Sequence, residues 1–93
     1  MAVEIGRLVV KIAGRDAGLK GVIINILGGH RVLVTGPKTL TGLRRKPVNL
    51  RHLILLPHKV NIERESSDEE VLEALERQDL VEYMRRRAEV RRW

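Results

Sequence analysis

Between residues 7 and 56, apolar side chains recur with a period of two, in short runs ended by glycine or proline. In Arg7–Ile12, Leu8, Val10 and Ile12 share one face, and Arg7, Val9 and Lys11 share the other. Val22–Leu27 is β-branched and apolar on both faces, as a strand covered on two sides must be. Gly28-Gly29 marks a hairpin turn, and Arg31–Thr35 returns with Val32 and Val34 on one face. Gly36-Pro37 breaks that strand. Gly42–Val48 is a fourth, in which Pro47 needs an edge or a bulge. Asn49–Arg51 reads as one tight turn, and His52–Leu56 as a fifth strand ended by Pro57. Five such strands with glycine-rich turns and no intervening helix predict a small closed barrel, because closure removes apolar edges. Tyr83 and Trp93 are the only aromatic residues and there is no Phe, so the core is aliphatic.

The period changes after residue 60. Ser67-Asp68-Glu69-Glu70 has the form of a capping box, with Ser67 over the first amides and Glu70 reaching back. Acids in the first turn also suit the helix dipole. Val71, Leu72 and Leu75 make a short apolar stripe; Gln78 and Asp79 interrupt it, and Leu80, Val81, Met84 and Ala88 resume it. Asp79-Leu80-Val81-Glu82 is itself a cap pattern. It favours two helices meeting near Asp79 over one helix from 68 to about 90. The chain thus divides into a barrel over residues 1–58 and a C-terminal helical extension over 59–93. Val9, Ile23, Leu27 and Leu33 lie opposite the expected core face. A barrel this small cannot bury both faces by itself, so the Val71/Leu72/Leu75 stripe is expected to pack on the outer one. The alternative is a helix that orders only in an assembly.

Charge is distributed unevenly. Residues 1–60 hold eleven Lys and Arg against two acids, a net of +9; residues 61–93 hold seven against ten, a net of −3. Within the latter, Asp68–Glu82 carries seven acids and one base, and Met84–Trp93 carries five arginines and one acid. A body this basic expects a polyanion, the bland alternative being a solvated surface. Arginine outnumbers lysine thirteen to five. That bias suits both phosphate recognition and a heat-adapted source. With no cysteine there is no disulfide scaffold, Cys-ligated metal site or thiol nucleophile, and the composition points to an intracellular setting. The longest apolar stretch, Val22–Leu27, is interrupted by Asn25, so no transmembrane helix fits and no membrane partner is expected.

Val10–Val22 reads V-K-I-A-G-R-D-A-G-L-K-G-V. A strand enters a loop in which Gly14, Gly18 and Gly21 permit left-handed dihedrals and close backbone approach, and a strand leaves it. Amides there, beside Arg15 and Lys20, can clasp phosphates. This spacing resembles the KOW motif of small SH3-like barrels in translation and transcription proteins. Ala17 and Leu19 stand where such loops often carry basic residues. The likeness continues through Ile5-Gly6-Arg7, Ile12-Ala13-Gly14-Arg15, Val32-Leu33-Val34-Thr35-Gly36 and Arg44-Arg45-Lys46. It extends to Asn49-Leu50-Arg51-His52-Leu53, Ile62-Glu63-Arg64 and Ser67-Asp68-Glu69-Glu70-Val71. Together these resemble the archaeal and eukaryotic large-subunit ribosomal protein family L-fourteen-e, over residues 5 to about 77. The resemblance implies a five-stranded SH3-like (KOW) barrel followed by one or two helices. It implies a cytoplasmic structural constituent of the large ribosomal subunit, with large-subunit rRNA and neighbouring ribosomal proteins as partners.

The barrel has no aromatic base-stacking platform, so RNA contact is expected through phosphates, shape and guanidinium stacking. The expected contacts are Arg15 and Lys20 in the glycine loop, His30 and Arg31 at the hairpin, and Lys38 in the next turn. Arg44, Arg45 and Lys46 form the strongest cluster, with Arg51 and His52 after it. Neighbours on a strand alternate faces, so at least one of Arg44, Arg45 and Lys46 must turn away from a single RNA surface or lie at an edge. Arg7 and Lys11 read as a solvated strand face. Arg85, Arg86, Arg87, Arg91 and Arg92 exceed what a helix dipole needs and suit RNA or protein contact, while the acidic face should point away from RNA. Trp93 is a possible interface anchor.

Catalysis and metal binding are not expected. Ser66 and Ser67 are explained by capping, and His52 and His58 have no nearby carboxylate ligand. Gly36-Pro37-Lys38-Thr39 lacks the spacing of a nucleotide-binding loop. No cofactor or small-molecule substrate is implied. The competing reading is an SH3-like KOW protein-interaction module of a transcription or translation factor, but a peptide-binding surface of that kind needs an aromatic groove.

Overall fold

The computed structural model describes residues 2–89. Strands β1 (Arg7–Lys11), β2 (Lys20–Gly28), β3 (Arg31–Gly36), β4 (Leu43–Asn49) and β5 (Leu53–Lys59) precede helices α1 (Asp68–Arg77) and α2 (Val81–Arg85). The strands form one antiparallel sheet of order β4-β3-β2-β1-β5. It curls around Val9, Ile23, Val32, Val34, Leu43, Val48 and Leu53, which form an aliphatic interior. Strands β4 and β5 are the edges, and a 3-10 turn at Leu50–His52 joins them. Val48 and Leu53 from these edges meet in the interior, so the barrel is completed there by packing rather than by a further ladder. Pro47 sits on edge strand β4, where its missing amide is tolerated.

The convex face carries a second core. Leu8, Val22 and Ile24 of the sheet meet Val71, Ala74 and Leu75 of α1 and Met84 of α2, with Leu33 packed alongside. Of the expected stripe, Val71 and Leu75 cover the sheet, while Leu72 lies outside that cluster, beside Pro37 and Thr39; the faces of the sheet are also assigned differently. Val9 and Ile23, expected outside, point into the barrel, and Leu27 is 45% exposed. On β1 and β2 both phases of the alternation are apolar, so the pattern has no sign. A bulge between Ile23 and Asn25 then shifts the register against β3.

Local chemistry explains the connections. The hairpin turn lies one residue later than expected, at Gly29-His30, with φ of +60° and +62°. Two successive left-handed residues are what a two-residue hairpin of this hand requires. Ser67 accepts a hydrogen bond from the Glu70 amide, and the Ser67 amide donates to the Glu70 carboxylate, completing the capping box. That amide bond holds the Glu70 carboxyl below its ordinary pKa. Asp79 does not cap α2. With φ +57° it is the left-handed residue that ends α1. Its amide donates to the Glu76 carbonyl, and that of Leu80 donates to Leu75. This six-to-one closure satisfies the last carbonyls of α1 and swings Leu80 against the same core.

At the N-terminus of α1, the buried Thr35 hydroxyl donates to Asp68 at 2.7 Å, and Arg45 donates to the Ser66 carbonyl and to Asp68. These bonds pin the helix to β3 and β4. Leu75 is fully buried whereas Leu72 is half-buried. We expect Leu75→Ala to lower unfolding free energy by about 2–5 kcal/mol. Leu72→Ala should cost distinctly less, as urea denaturation of both variants will show.

Candidate nucleic-acid interface

Lys11, Arg15, Asp16, Lys38, Gly42, Arg44 and Lys46 line one open cleft of about 660 Å³. Each position follows from local structure. Lys11 ends β1, and Arg15 and Asp16 lie in the glycine loop. Lys38 is carried on one π-helical turn, Pro37–Thr41, and Arg44 and Lys46 are two apart on β4 and share a face. Five cations thus meet a single carboxylate. Asp16 is held by Lys46 at 2.5 Å, and Lys11 donates to the Ala13 carbonyl at 2.8 Å. The hydrogen bond from Lys46 holds the Asp16 carboxyl below its ordinary value; burial opposes it, and the charges of Lys46, Lys11 and Arg15 reinforce it.

Of the three basic residues on β4, Arg45 turns away, toward Ser66 and Asp68 at the start of α1. Its guanidinium is occupied in holding the helix. Lys11, read from the sequence as a solvated strand residue, joins the cleft instead. Its signal was its place as the second residue of the glycine motif, where the strand hands over to the loop.

A second group lies where the β2–β3 hairpin tip meets the connection between β4 and β5. His30, Arg31, Arg51 and His52 are all exposed. The Leu50 amide donates to the His30 carbonyl and the Ile12 amide to the His52 carbonyl, each at 2.8 Å. The Asn49 side chain accepts from the Arg51 amide. The 3-10 turn therefore ties the hairpin tip to the end of β1, and its basic side chains continue from the glycine loop to the tip.

Lys20 belongs to neither group. It is 6% exposed; its ammonium donates to the Tyr83 carbonyl at 2.7 Å and lies 4.1 Å from the Tyr83 ring centroid. Burial pulls its pKa below the ordinary lysine value, and the charge of Arg86 adds to this. The glycine loop is also less open than its composition suggests. The amides of Ala17, Gly18 and Leu19 donate to the carbonyls of Gly14, Lys11 and Asp16. Gly14 and Gly18 take φ of +78° and +94°. Gly21 instead serves close approach, since a Cβ there would stand 2.7 Å from the Leu43 side chain.

Among the C-terminal arginines, Arg85 pairs with Glu82 at 3.0 Å, Arg86 is exposed, and Arg87 donates twice to the Ala17 carbonyl. Arg91, Arg92 and Trp93 lie outside the described residues. Ser67 is engaged in its cap, and Ser66 donates to the Glu63 carbonyl. Among the described residues no three His, Asp or Glu side chains converge as a metal site would need, and no helix is long and apolar enough to cross a membrane.

No protein-family model matches the chain. Curated relatives do. The chain is 52% identical over 85 residues to large ribosomal subunit protein eL14 of Pyrobaculum arsenaticum, a match spanning 91% of this chain and 82% of the relative. It is 54% identical over 83 residues to the protein of the same name from Aeropyrum pernix, spanning 89% and 83%. The counterpart from Saccharolobus solfataricus is 47% identical over 90 residues, spanning 97% and 94%.

The Asp16–Lys46 pair sets a pH dependence. Because the folded carboxyl titrates below its unfolded value of 3.8, the pair stabilises the fold above that pH. The contribution is lost as pH falls through the lower folded value. Carboxyl NMR titration should place Asp16 below 3.8, and Lys46→Ala should move it back up.

Proposed function

The chain belongs to the large ribosomal subunit protein eL14 family, and from that premise we propose that it holds large-subunit rRNA by phosphate and shape contacts along its basic cleft and the adjoining turn. Membership makes it a constituent of the large ribosomal subunit, at work in the cytoplasm, and not an enzyme. What supports the finer reading most is the convergence of Lys11, Arg15, Lys38, Arg44 and Lys46 on one concave surface with a single acid among them. Cations at this density attract a polyanion over several ångströms and release its counterions on contact.

The contact mode follows from what the surface offers. No Phe, Tyr or Trp lies on the five strands, so the surface lacks a large aromatic platform for bases. Guanidinium groups of Arg15, Arg44, Arg31 and Arg51 can grip phosphate oxygens two at a time and lie flat on unpaired bases. Neighbouring ribosomal proteins are the natural partners of the rest of the surface. Asp68 and Glu69 of α1 border the turn that carries Lys38 and mark where the basic surface ends. Beyond them Glu73 and Glu76 are exposed on a helix that covers the opposite face of the sheet.

Co-sedimentation with large subunits through a high-salt gradient tests this. The parent chain should remain bound, and its affinity for an rRNA fragment should fall steeply with salt, by about 0.7–0.9 log units per log unit of salt for each phosphate neutralised. Lys38→Glu combined with Arg44→Glu should release it and flatten that slope, while Arg77→Glu on α1 should not. Retention of the double variant with an unchanged slope would remove the cleft as the contact.

A further inference from the structure

The second half of the glycine loop has a use that its phosphate-binding appearance conceals. Residues 17, 18 and 20 each hold a residue of the segment 83–88, more than sixty positions later in the chain. The Ala88 amide donates to the Gly18 carbonyl at 2.8 Å. Arg87 Nε and Nη2 both donate to the Ala17 carbonyl, at 3.2 and 3.0 Å. Lys20 Nζ donates to the Tyr83 carbonyl and sits over the Tyr83 ring, which also meets the His58 ring in a T-shaped arrangement at 4.5 Å between centroids. Gly18 is shaped for this contact. A Cβ at that position would stand 2.5 Å from the Ala88 carbonyl oxygen and 2.9 Å from Arg87 Cγ. Each side both donates and accepts: Ala88 and Arg87 donate to loop carbonyls, while Lys20 donates to the Tyr83 carbonyl, so its cation has a partner within the protein.

We propose that residues 17–20 form an intramolecular socket for the chain's own segment 83–88, and that Arg87 and Lys20 are positioning residues that hold the glycine loop rather than phosphate contacts. The inference rests on the rRNA-binding reading for its consequence, since the loop so braced carries Arg15 and Asp16 into the cleft. Arg15 and Asp16 of its first half face the cleft; its second half faces the C-terminal segment. One short motif thereby divides its work. The glycines at 14 and 18 set the loop's shape, and the tail keeps that shape before any ligand arrives. Arranging the loop in advance lowers the ordering cost that binding would otherwise carry. The tail also links the convex core to the cleft, because Tyr83, which holds Lys20, and the buried Met84 are neighbours on α2.

The test uses the full chain and two readouts. Amide hydrogen exchange measures the socket directly. Arg87→Ala, which changes an exposed side chain, should speed exchange at Gly18, Leu19 and Ala88 roughly tenfold while leaving Val22, Ile23 and Val34 unchanged. Arg87→Lys, which can still donate to the Ala17 carbonyl, should restore protection. Tyr83→Leu should loosen the same amides through Lys20. Affinity for an rRNA fragment measures the consequence. Arg87→Ala should weaken binding severalfold without changing the salt slope. A slope reduced by about one phosphate's worth, with exchange unchanged, would make Arg87 a direct contact and overturn the proposal. Unchanged exchange in both Arg87→Ala and Tyr83→Leu would overturn it as well. If the parent chain itself shows no salt-sensitive RNA binding, the rRNA reading falls, and exchange alone still decides whether the socket exists.

Discussion

Strands β1 and β2 carry apolar side chains on both faces, and burying both is the constraint that the rest of the structure satisfies. Val9 and Ile23 fill the barrel, while Leu8, Val22 and Ile24 would face water without a lid. At about 25 cal/mol per Å² of apolar surface, leaving three such side chains exposed would consume much of the stability of a domain this small. The C-terminal helices are therefore part of the fold. Their attachment is specific as well as apolar: Thr35, Arg45, Asp68 and Ser66 fix one end, and Lys20, Tyr83, Arg87 and the loop carbonyls fix the other. Asp79, in a left-handed conformation, lets the chain turn from α1 to α2 between these two anchor points.

That arrangement separates the charges. With the convex face of the sheet covered by an acidic helix, the cations of β1, the glycine loop, the π turn and β4 collect in one cleft. Asp16 does not cancel this field. It positions the Lys46 ammonium and leaves four further cations on the cleft. For the proposed rRNA contact such a one-sided surface matters more than any single contact, because phosphate attraction falls off slowly compared with hydrogen bonding and adds over the whole face.

The number and order of the strands, the edge proline at 47 and the capping box at Ser67 and Glu70 were legible in the sequence because each depends on neighbours within four residues; the hairpin turn, one residue late, and the end of β5, which runs through Pro57 to Lys59 because an edge strand tolerates a missing amide, were not. Also legible were the cover supplied by Val71 and Leu75 and the turning away of one residue in Arg44-Arg45-Lys46, which follow from strand and helix periods. What the sequence could not supply was the sign of a pattern or the partner of a distant residue. Alternation in β1 and β2 has two apolar phases, so which one faces inward waits on the curl of the sheet. Asp79 carries a cap pattern forward to Glu82, yet the closure of α1 behind it decides its role. Lys20 reads as a loop cation because Tyr83, which buries it, lies 63 positions away. Lys11 reads as solvated for the converse reason: the loop and β4 that make its cleft come later in the chain.

If rRNA is pressed against the cleft face, as proposed, amine acylation of the free chain and of the chain within assembled large subunits, read out by mass spectrometry at each lysine, will register it. Lys11, Lys38 and Lys46 should react in the free chain and be protected in the particle. Lys59 at the far end of β5 should keep its rate, and Lys20 should be slow in both states. Equal labelling of Lys38 and Lys46 in the free and assembled states would contradict the claim.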